Sequence, residues 1–363
     1  MRAEVPAMLA ALEPLVNQES PSADVDLLDS CAELLAELGS GILGFSPRLE
    51  RSDGKPYLLW ARGEPRVLVL CHLDTVWPRG TVARWPFNAN GTRASGPGVF
   101  DMKGGIVQGL FALASIGVPE GAAMLVTSDE EVGSATSREV IQYLGRQVDA
   151  TLVLEPALEG ALKVARKGVA GYVLTIDGLA AHASQPELGV NATVELAHQA
   201  LAIAALADPA VGTTCSPTVV SSGTVANTIP ARATLVIDSR APSLEEQRRI
   251  DAALRSLEPV VAGAKLALEG GPNRTPMPES ISRDLFERAE AHAAEMGLSA
   301  LRGALAPGGS DGQLTAEVGT PTLDGLGAVG ANAHAEGEYL DIAAMPERAA
   351  VLAALIRDVL AAR

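Results

Sequence analysis

Aromatic residues make up only 3% of this 363-residue chain, so any core must be built from leucine, valine, isoleucine and alanine. Cysteine is scarcer: Cys31, Cys71 and Cys215 are too few and too scattered for a disulfide framework, which points to a reducing, cytoplasmic compartment. Basic residues are outnumbered, with 28 Lys plus Arg against 44 Asp plus Glu and a formal charge of −16. No basic footprint is present to neutralise phosphates, which argues against a nucleic-acid partner or an anionic membrane. An anionic small substrate is not excluded, because a few placed arginines or a metal ion reverse a local field. Long apolar runs are missing too. No uncharged stretch supplies the roughly 18 consecutive apolar residues of a membrane span. Glu4 and Glu13 interrupt the N-terminal apolar residues in the manner of an amphipathic helix, not a signal peptide. The expectation is a soluble protein.

Hydrophobic residues, by contrast, make up 47%, and the length suits two domains. Helical periodicity covers 3–17 and 24–39, followed by short strands near 45–51 and 56–61. The run Arg66–Leu70 reads as a strand buried on both faces, of the kind found in parallel sheets. A helix at 103–117, a strand at 122–128, a helix at 134–145 and a strand at 150–154 continue an α/β alternation with a mostly parallel sheet. After about Arg166 the order becomes strand 168–178, helix 190–206, strands 215–226 and 231–240, helix 243–257 and strand 263–270. That βαββαβ order is a split-βαβ, ferredoxin-like unit. The segment 270–278 reads as a linker, after which helix 280–296, strands 299–305 and 320–325 and helix 343–362 resume the α/β texture. The expected organisation is a discontinuous domain of residues 1–166 and 275–363 with residues 167–274 inserted.

The chemistry gathers at the carboxyl ends of the expected strands, where open α/β sheets place their sites. His72 and Asp74 end the first, in CHLDTV, with Asp74 available to fix the tautomer of a metal-binding His72. Cys71 would point to the opposite face. Asp101 lies in GPGVFDMKGG between a Gly/Pro-rich turn and a helix, suited either to bridging two metals or to capping the helix. Asp129, Glu130 and Glu131 follow the next strand in TSDEEVGS; three adjacent acids repel unless something positive joins them. In metal-assisted hydrolysis one such carboxylate binds metal while its neighbour takes a proton from water. Glu155 ends the third strand in LVLEP, and His334 sits far downstream in GANAHAEGEY, a loop of small residues. His182 belongs to the inserted domain, whereas His198 and His292 lie in helical patterns and read as structural or surface residues. A mixed His and carboxylate shell suits zinc, with manganese or cobalt as substitutes.

These segments, together with GLAAHASQPELGVNA, resemble the co-catalytic zinc metallopeptidases and amidohydrolases. That family includes glutamate carboxypeptidase of the carboxypeptidase G type, acetylornithine deacetylase, succinyl-diaminopimelate desuccinylase and aminoacylase. PELGVNA, NTIPARATL and the GGSD segment are most similar to the glutamate carboxypeptidase branch. The resemblance implies that Asp101 bridges two metals, that His72 and Glu155 complete one site, and that Glu131 and His334 complete the other. Glu130 resembles the general base and Asp74 the residue orienting His72. His182 would help stabilise the oxyanion, from its own or a partner subunit, and Asn227, Arg240 and Gly309 would hold a substrate carboxylate. The inserted domain resembles a lid and dimerisation domain, which implies a homodimer. Glu at position 155 is similar to carboxypeptidases and deacylases, where dipeptidases and tripeptidases carry Asp. Met102 stands where the glutamate carboxypeptidase branch often has a second acid, and Ser310 replaces a common Thr. The implied activity is amide hydrolysis of a peptide or N-acyl amino acid with a free carboxylate. The alternatives are a biosynthetic deacetylase or desuccinylase and, from a different class, a non-catalytic relative.

Overall fold

The computed structural model describes residues 1–362. The chain divides into two compact units: Met1–Ala165 with Pro278–Ala306 and Ser310–Arg363, and Arg166–Met277 with Pro307–Gly309.

The first unit is built on a six-stranded sheet in the spatial order Arg48–Ser52, Lys55–Ala61, Ala122–Thr127, Val67–His72, Ala150–Val153, Thr322–Leu323. The last four are mutually parallel, and the first two form an antiparallel hairpin on one edge. Alternation of side chains assigns each face its own core. Val67, Val69 and Cys71 join a large cluster with Trp60, Ile106 and Leu352, while Leu68 and Leu70 pack with Ile141, Leu144 and Leu314. Helices Val5–Asn17, Val25–Leu43, Gly104–Ser115 and Ala344–Ala361 serve the first cluster, and Arg138–Gly145 and Gly312–Glu317 the second. Helix Gly104–Ser115 runs so close to the sheet that a Cβ on Gly105 would lie 2.3 Å from the Leu154 carbonyl oxygen. Glycine is required there, one turn beyond Asp101.

The second unit has a four-stranded antiparallel sheet in the order Thr214–Ser222, Arg232–Ala241, Gly168–Asp177, Lys265–Arg274, with helices Ala192–Ala204 and Leu244–Arg255. Strict alternation buries Tyr172, Leu174 and Ile176 against Leu235, Ile237, Ile203 and Ile250.

Two expectations need correction, and a third segment is more ordered than its residues suggest. The segment 270–278 is not all linker, because the last strand extends to Arg274. Pro272 sits at a register shift on a strand that pairs on one side only, where a missing N–H costs no ladder bond. The strand expected at 299–305 is the shorter Gly303–Ala306. The loop around His334 is not a plain connection: Gly330–Ala331 and Tyr339–Asp341 pair as a hairpin and continue into Arg93–Ser95 and Asn88–Ala89.

Candidate metal centre

Three adjacent parallel strands end at the site. Val67–His72 lies centrally, with Ala122–Thr127 on one side of it and Ala150–Val153 on the other. The order of the sheet reverses there, which opens a crevice at the carboxyl ends. His72 closes the central strand, Glu130–Val132 forms a 3₁₀ turn beyond its neighbour, and Glu155 follows the third. Asp101 enters from a kinked turn, with φ −116° and ψ 96°, before helix Gly104–Ser115. Its carboxylate caps no helix.

The structure brings His72, Asp101, Glu130, Glu131, Glu155 and His334 together. His72 Nε2 lies 3.4 Å from Asp101 Oδ1 and 3.4 Å from Glu155 Oε1. His334 Nε2 lies 3.4 Å from Asp101 Oδ2 and 3.2 Å from Glu131 Oε2. Ligand atoms of His72, Glu130 and Glu155 fall within 4.8 Å of one another, as do those of His72, Asp101 and Glu131. The two Asp101 oxygens thus face two different imidazoles.

The ring of His72 is oriented from below. Its Nδ1 is 3.0 Å from the Asp74 carbonyl oxygen, which only accepts, so Nδ1 carries a proton and Nε2 is the nitrogen turned towards the Asp101 and Glu155 carboxylates. The Asp74 carboxylate is slightly farther from Nδ1, at 3.4 Å. It also accepts from Ser22 Oγ at 2.7 Å and from the Glu130 and Glu131 backbone N–H groups at 3.2 Å each, which ties that turn to the His72 strand.

Of the three consecutive acids, Asp129 does not join the cluster. Its carboxylate accepts from the N–H and Oγ1 of Thr136 and the N–H of Ser137. The repulsion anticipated from the sequence therefore narrows to Glu130 and Glu131. Burial, followed by the Glu155 carboxylate, pushes Glu130 well above the usual carboxylate range. Burial and Asp101 push Glu131 up to about 7. Burial also opposes charge on Asp101, but hydrogen bonds with His334 and His72 outweigh it and hold Asp101 low. The Asp101 and Glu131 carboxylates raise His334 to about 11. The centre is short of positive charge.

These residues fit divalent metal ions on two counts. His72 Nε2, Asp101 Oδ1 and Glu131 Oε1 are buried without an aligned hydrogen-bond partner among the described residues, an expensive arrangement unless a cation satisfies them. Moreover, a tetrahedral shell with bonds of about 2.0–2.1 Å has edges of roughly 3.3–3.4 Å, close to the observed separations of 3.2–3.4 Å.

Four contributors had no role in the sequence reading. Lys163 pairs with Glu155 Oε2 at 3.3 Å, and Ser22 holds Asp74. Asp311 accepts from Thr127 Oγ1 and Ser134 Oγ beneath the Glu130 turn. Glu338 accepts four N–H groups around the Asp101 turn. Two of these had a visible signal: Glu338 stands in the same GANAHAEGEY segment as His334, and Asp311 ends the GGSD segment.

The remaining candidates lie in the second unit. His182 is exposed on a short ribbon with Thr228–Ile229, its Nδ1 2.7 Å from Ser184 Oγ. Asn227 precedes that ribbon, and its carbonyl accepts from the Ala183 N–H. The guanidinium of Arg240 forks onto Asp238 at 2.9 and 2.8 Å. The carbonyl of Gly309 accepts from Arg166 Nη1 at 2.8 Å. His198 is exposed on its helix, and His292 lies 3.5 Å from Asp358.

Residues 68–358 match peptidase family M20/M25/M40. The chain belongs to this family. It is 33% identical over 388 residues to carboxypeptidase G2 from Pseudomonas sp. (strain RS-16), covering 98% of this chain and 90% of that protein. A shorter match, 34% identical over 157 residues, links 37% of the chain to 40% of succinyl-diaminopimelate desuccinylase from Rickettsia akari. Among solved structures, a tripeptidase from Staphylococcus aureus superposes with a TM-score of 0.76 at 19% identity, covering 98% of both chains. An M20 family metallo-carboxypeptidase from Sulfolobus solfataricus gives 0.73 at 18% identity over 96% of this chain and 98% of that one. These two share the fold. As a member of the M20 family, the chain is a metal-dependent hydrolase of peptide or acyl amino acid bonds.

Proposed function

We propose that this hydrolase holds two zinc ions and cleaves the amide bond of a peptide or N-acyl amino acid bearing a free C-terminal carboxylate, in the manner of a glutamate carboxypeptidase. The observation that carries the reading is Asp101, whose two oxygens each lie 3.4 Å from a different imidazole. In this reading His72, Glu155 and Asp101 hold one metal, and His334, Glu131 and Asp101 hold the other; cobalt or manganese can substitute. When bound, the metals supply Lewis-acid polarisation of the scissile carbonyl and lower the pKa of a water towards 7.

Glu130 is the general base. It is the member of the acidic pair left without a ligand role in this reading, and the burial that raises it above the usual carboxylate range makes it a stronger proton acceptor. Glu130 takes a proton from the attacking water as the water oxygen bonds to the carbonyl carbon. It returns that proton to the nitrogen as the C–N bond breaks, which leaves an acid and an amine. His182 stabilises the oxyanion, and Asn227, Arg240 and Gly309 receive the carboxylate. A cavity of about 560 Å³, lined by Glu131 with Pro21, Val76, Pro78 and Val132 and by the charged Asp24 and Arg79, offers space for the acyl side.

The strand order of the second unit supports a ferredoxin-like lid. Its edge strand Thr214–Ser222 and helix Ala192–Ala204 expose Val219, Val220 and Leu201, which supports pairing with a second copy. No helix among the described residues is long and apolar enough to cross a membrane, and a cytoplasmic setting accords with three unpaired cysteines.

A second reading, deacylation of a succinylated or acetylated amine in biosynthesis, draws on the desuccinylase match. A panel of folyl-glutamate, N-acyl-glutamates, acetylornithine and succinyl-diaminopimelate, with zinc, cobalt or manganese added, separates the two. Cleavage of glutamyl amides at least tenfold faster than the biosynthetic substrates is expected. Equal cleavage of a glutamate ester that lacks the free carboxylate would refute the proposed substrate class.

A further inference from the structure

Glu338 has no exposed surface, and N–H donors surround its carboxylate. Oε1 accepts from the backbone N–H groups of Phe100 at 2.8 Å and Asp101 at 2.9 Å. Oε2 accepts from the Gly98 N–H at 3.0 Å and from Trp77 Nε1 at 2.9 Å. An ionised carboxylate offers about four lone-pair sites and no donor, so four donors saturate it. Glu338 is therefore not itself a spare ligand.

The donors come from two loops, and Glu338 belongs to a third. Trp77 lies beyond strand Val67–His72, while Gly98, Phe100 and Asp101 form the turn that presents the Asp101 carboxylate. Glu338 stands on the hairpin between Gly330–Ala331 and Tyr339–Asp341, which also carries His334. That hairpin is internally braced: the Glu338 N–H donates to Ala335 O and the Ala335 N–H to Asn332 O, both at 3.1 Å. Asn332 Nδ2 adds a bond to Gly337 O at 3.2 Å. Movement of Glu338 and movement of His334 are thereby linked. On the other side, Asp101 lies in a non-helical kink, so its N–H and that of Phe100 depend on an external acceptor.

We propose that Glu338 is a positioning residue for the metal centre, a carboxylate clip that joins the Asp101 turn to the His334 hairpin and sets the separation of those two side chains. The proposal rests on the reading of Asp101 and His334 as ligands. A side chain that fixes a ligand's orientation typically changes metal affinity by about 10–100-fold when altered. Glu338→Gln keeps the shape but replaces one acceptor oxygen by an NH₂ group, which must then face either the Phe100 and Asp101 N–H groups or those of Gly98 and Trp77 and so loses half of the clip's bonds.

The test uses the full chain, stripped of metal and titrated with zinc against a chromogenic chelator, together with the visible absorption of the cobalt-loaded protein. Asp101→Asn runs in parallel. Glu338→Gln is expected to bind at least one zinc about 10–100-fold more weakly and to show altered cobalt bands at full occupancy. Glu338→Asp, a carboxylate one methylene too short, should fall between, and it carries the same test if Glu338→Gln does not fold. A purely structural role would lower the melting temperature of the metal-free protein while leaving zinc affinity and the cobalt spectrum at parental values. That result overturns the clip. If Asp101→Asn loses zinc and both Glu338 variants keep it, the clip alone is wrong. If Asp101→Asn also binds two zinc ions with unchanged affinity, the ligand reading falls and takes the clip with it.

Discussion

Lys163 places its ammonium 3.3 Å from Glu155 Oε2, in a pair with side-chain exposures of only 10% and 8%. The other Glu155 oxygen faces His72 at 3.4 Å. One carboxylate therefore serves a fixed internal cation on one side and the proposed metal site on the other. Lys163→Met removes this buried cation from Glu155 in the metal-free protein, at a cost of about 3–5 kcal/mol. A bound zinc would supply the missing charge. The rise in melting temperature on adding zinc should accordingly be larger in Lys163→Met than in the parent. An equal rise in both proteins would show that Glu155 does not face the metal.

Glu130→Gln removes the proposed proton carrier while preserving its size. Turnover should fall about 10²–10⁴-fold, with both zinc ions retained by elemental analysis. Near-parental turnover in a metal-replete variant would dismiss Glu130 as the base.

The acid–base balance of the cluster gives the metal-free protein a directional pH dependence. Glu131 is raised from 4.5 to about 7 and His334 from 6.5 to about 11. Both groups hold protons in the folded state that they lose on unfolding, so their contribution to stability is present at low pH. Glu131 loses that contribution between pH 4.5 and about 7, and His334 between pH 6.5 and about 11. Zinc must displace the same protons, so its affinity rises with pH. Thermal melts with chelator and with zinc, from pH 6 to 9, should diverge progressively. A gap that stays constant across this range would count against the assignment.

Arg240 and Asp238 form a fork within one strand. The proposed carboxylate anchor must share or exchange that partner when substrate binds. Arg240→Ala should raise KM at least tenfold for substrates with a free carboxylate and much less for their amides, because planar two-bond recognition is lost. Arg240→Lys should restore little. Equal effects on acids and amides would move the anchor elsewhere.

The proposed dimer predicts that Leu201→Glu combined with Val220→Glu yields a monomer by light scattering, since both side chains are more than half exposed in the single chain. A monomeric parent at micromolar concentration would remove the basis for this pairing.

Much of this was readable in the residues because burial leaves a mark on sequence. Runs such as Val67–Leu70 and Ala122–Val126 are apolar throughout, since both faces of the sheet are covered, and ligand candidates stand within five residues after them. Strand Lys265–Arg274 ends in GGPNR, where no side-chain pattern reports a pairing made by the backbone. The hairpin that carries His334 has strands of two and three residues, too short for any periodicity. The role of Lys163, and what Glu338 holds within the His334 segment, remained hidden for another reason. A buried charge and a solvated one are written with the same letter, and only the fold shows that Glu338 faces four donors.

Glu131 and His334 stand on opposite sides of the insertion in the chain, and their side chains approach to 3.2 Å. A cation shared by them would act as a removable staple, closing a loop that contains the entire second unit. The entropy of that closure depends only weakly on loop length, so a long insertion adds little to the cost of fastening the ends. Chelation would then do more than silence chemistry. It would loosen the hairpin that carries His334, and limited proteolysis near residues 330–341 would register the loss before any global unfolding.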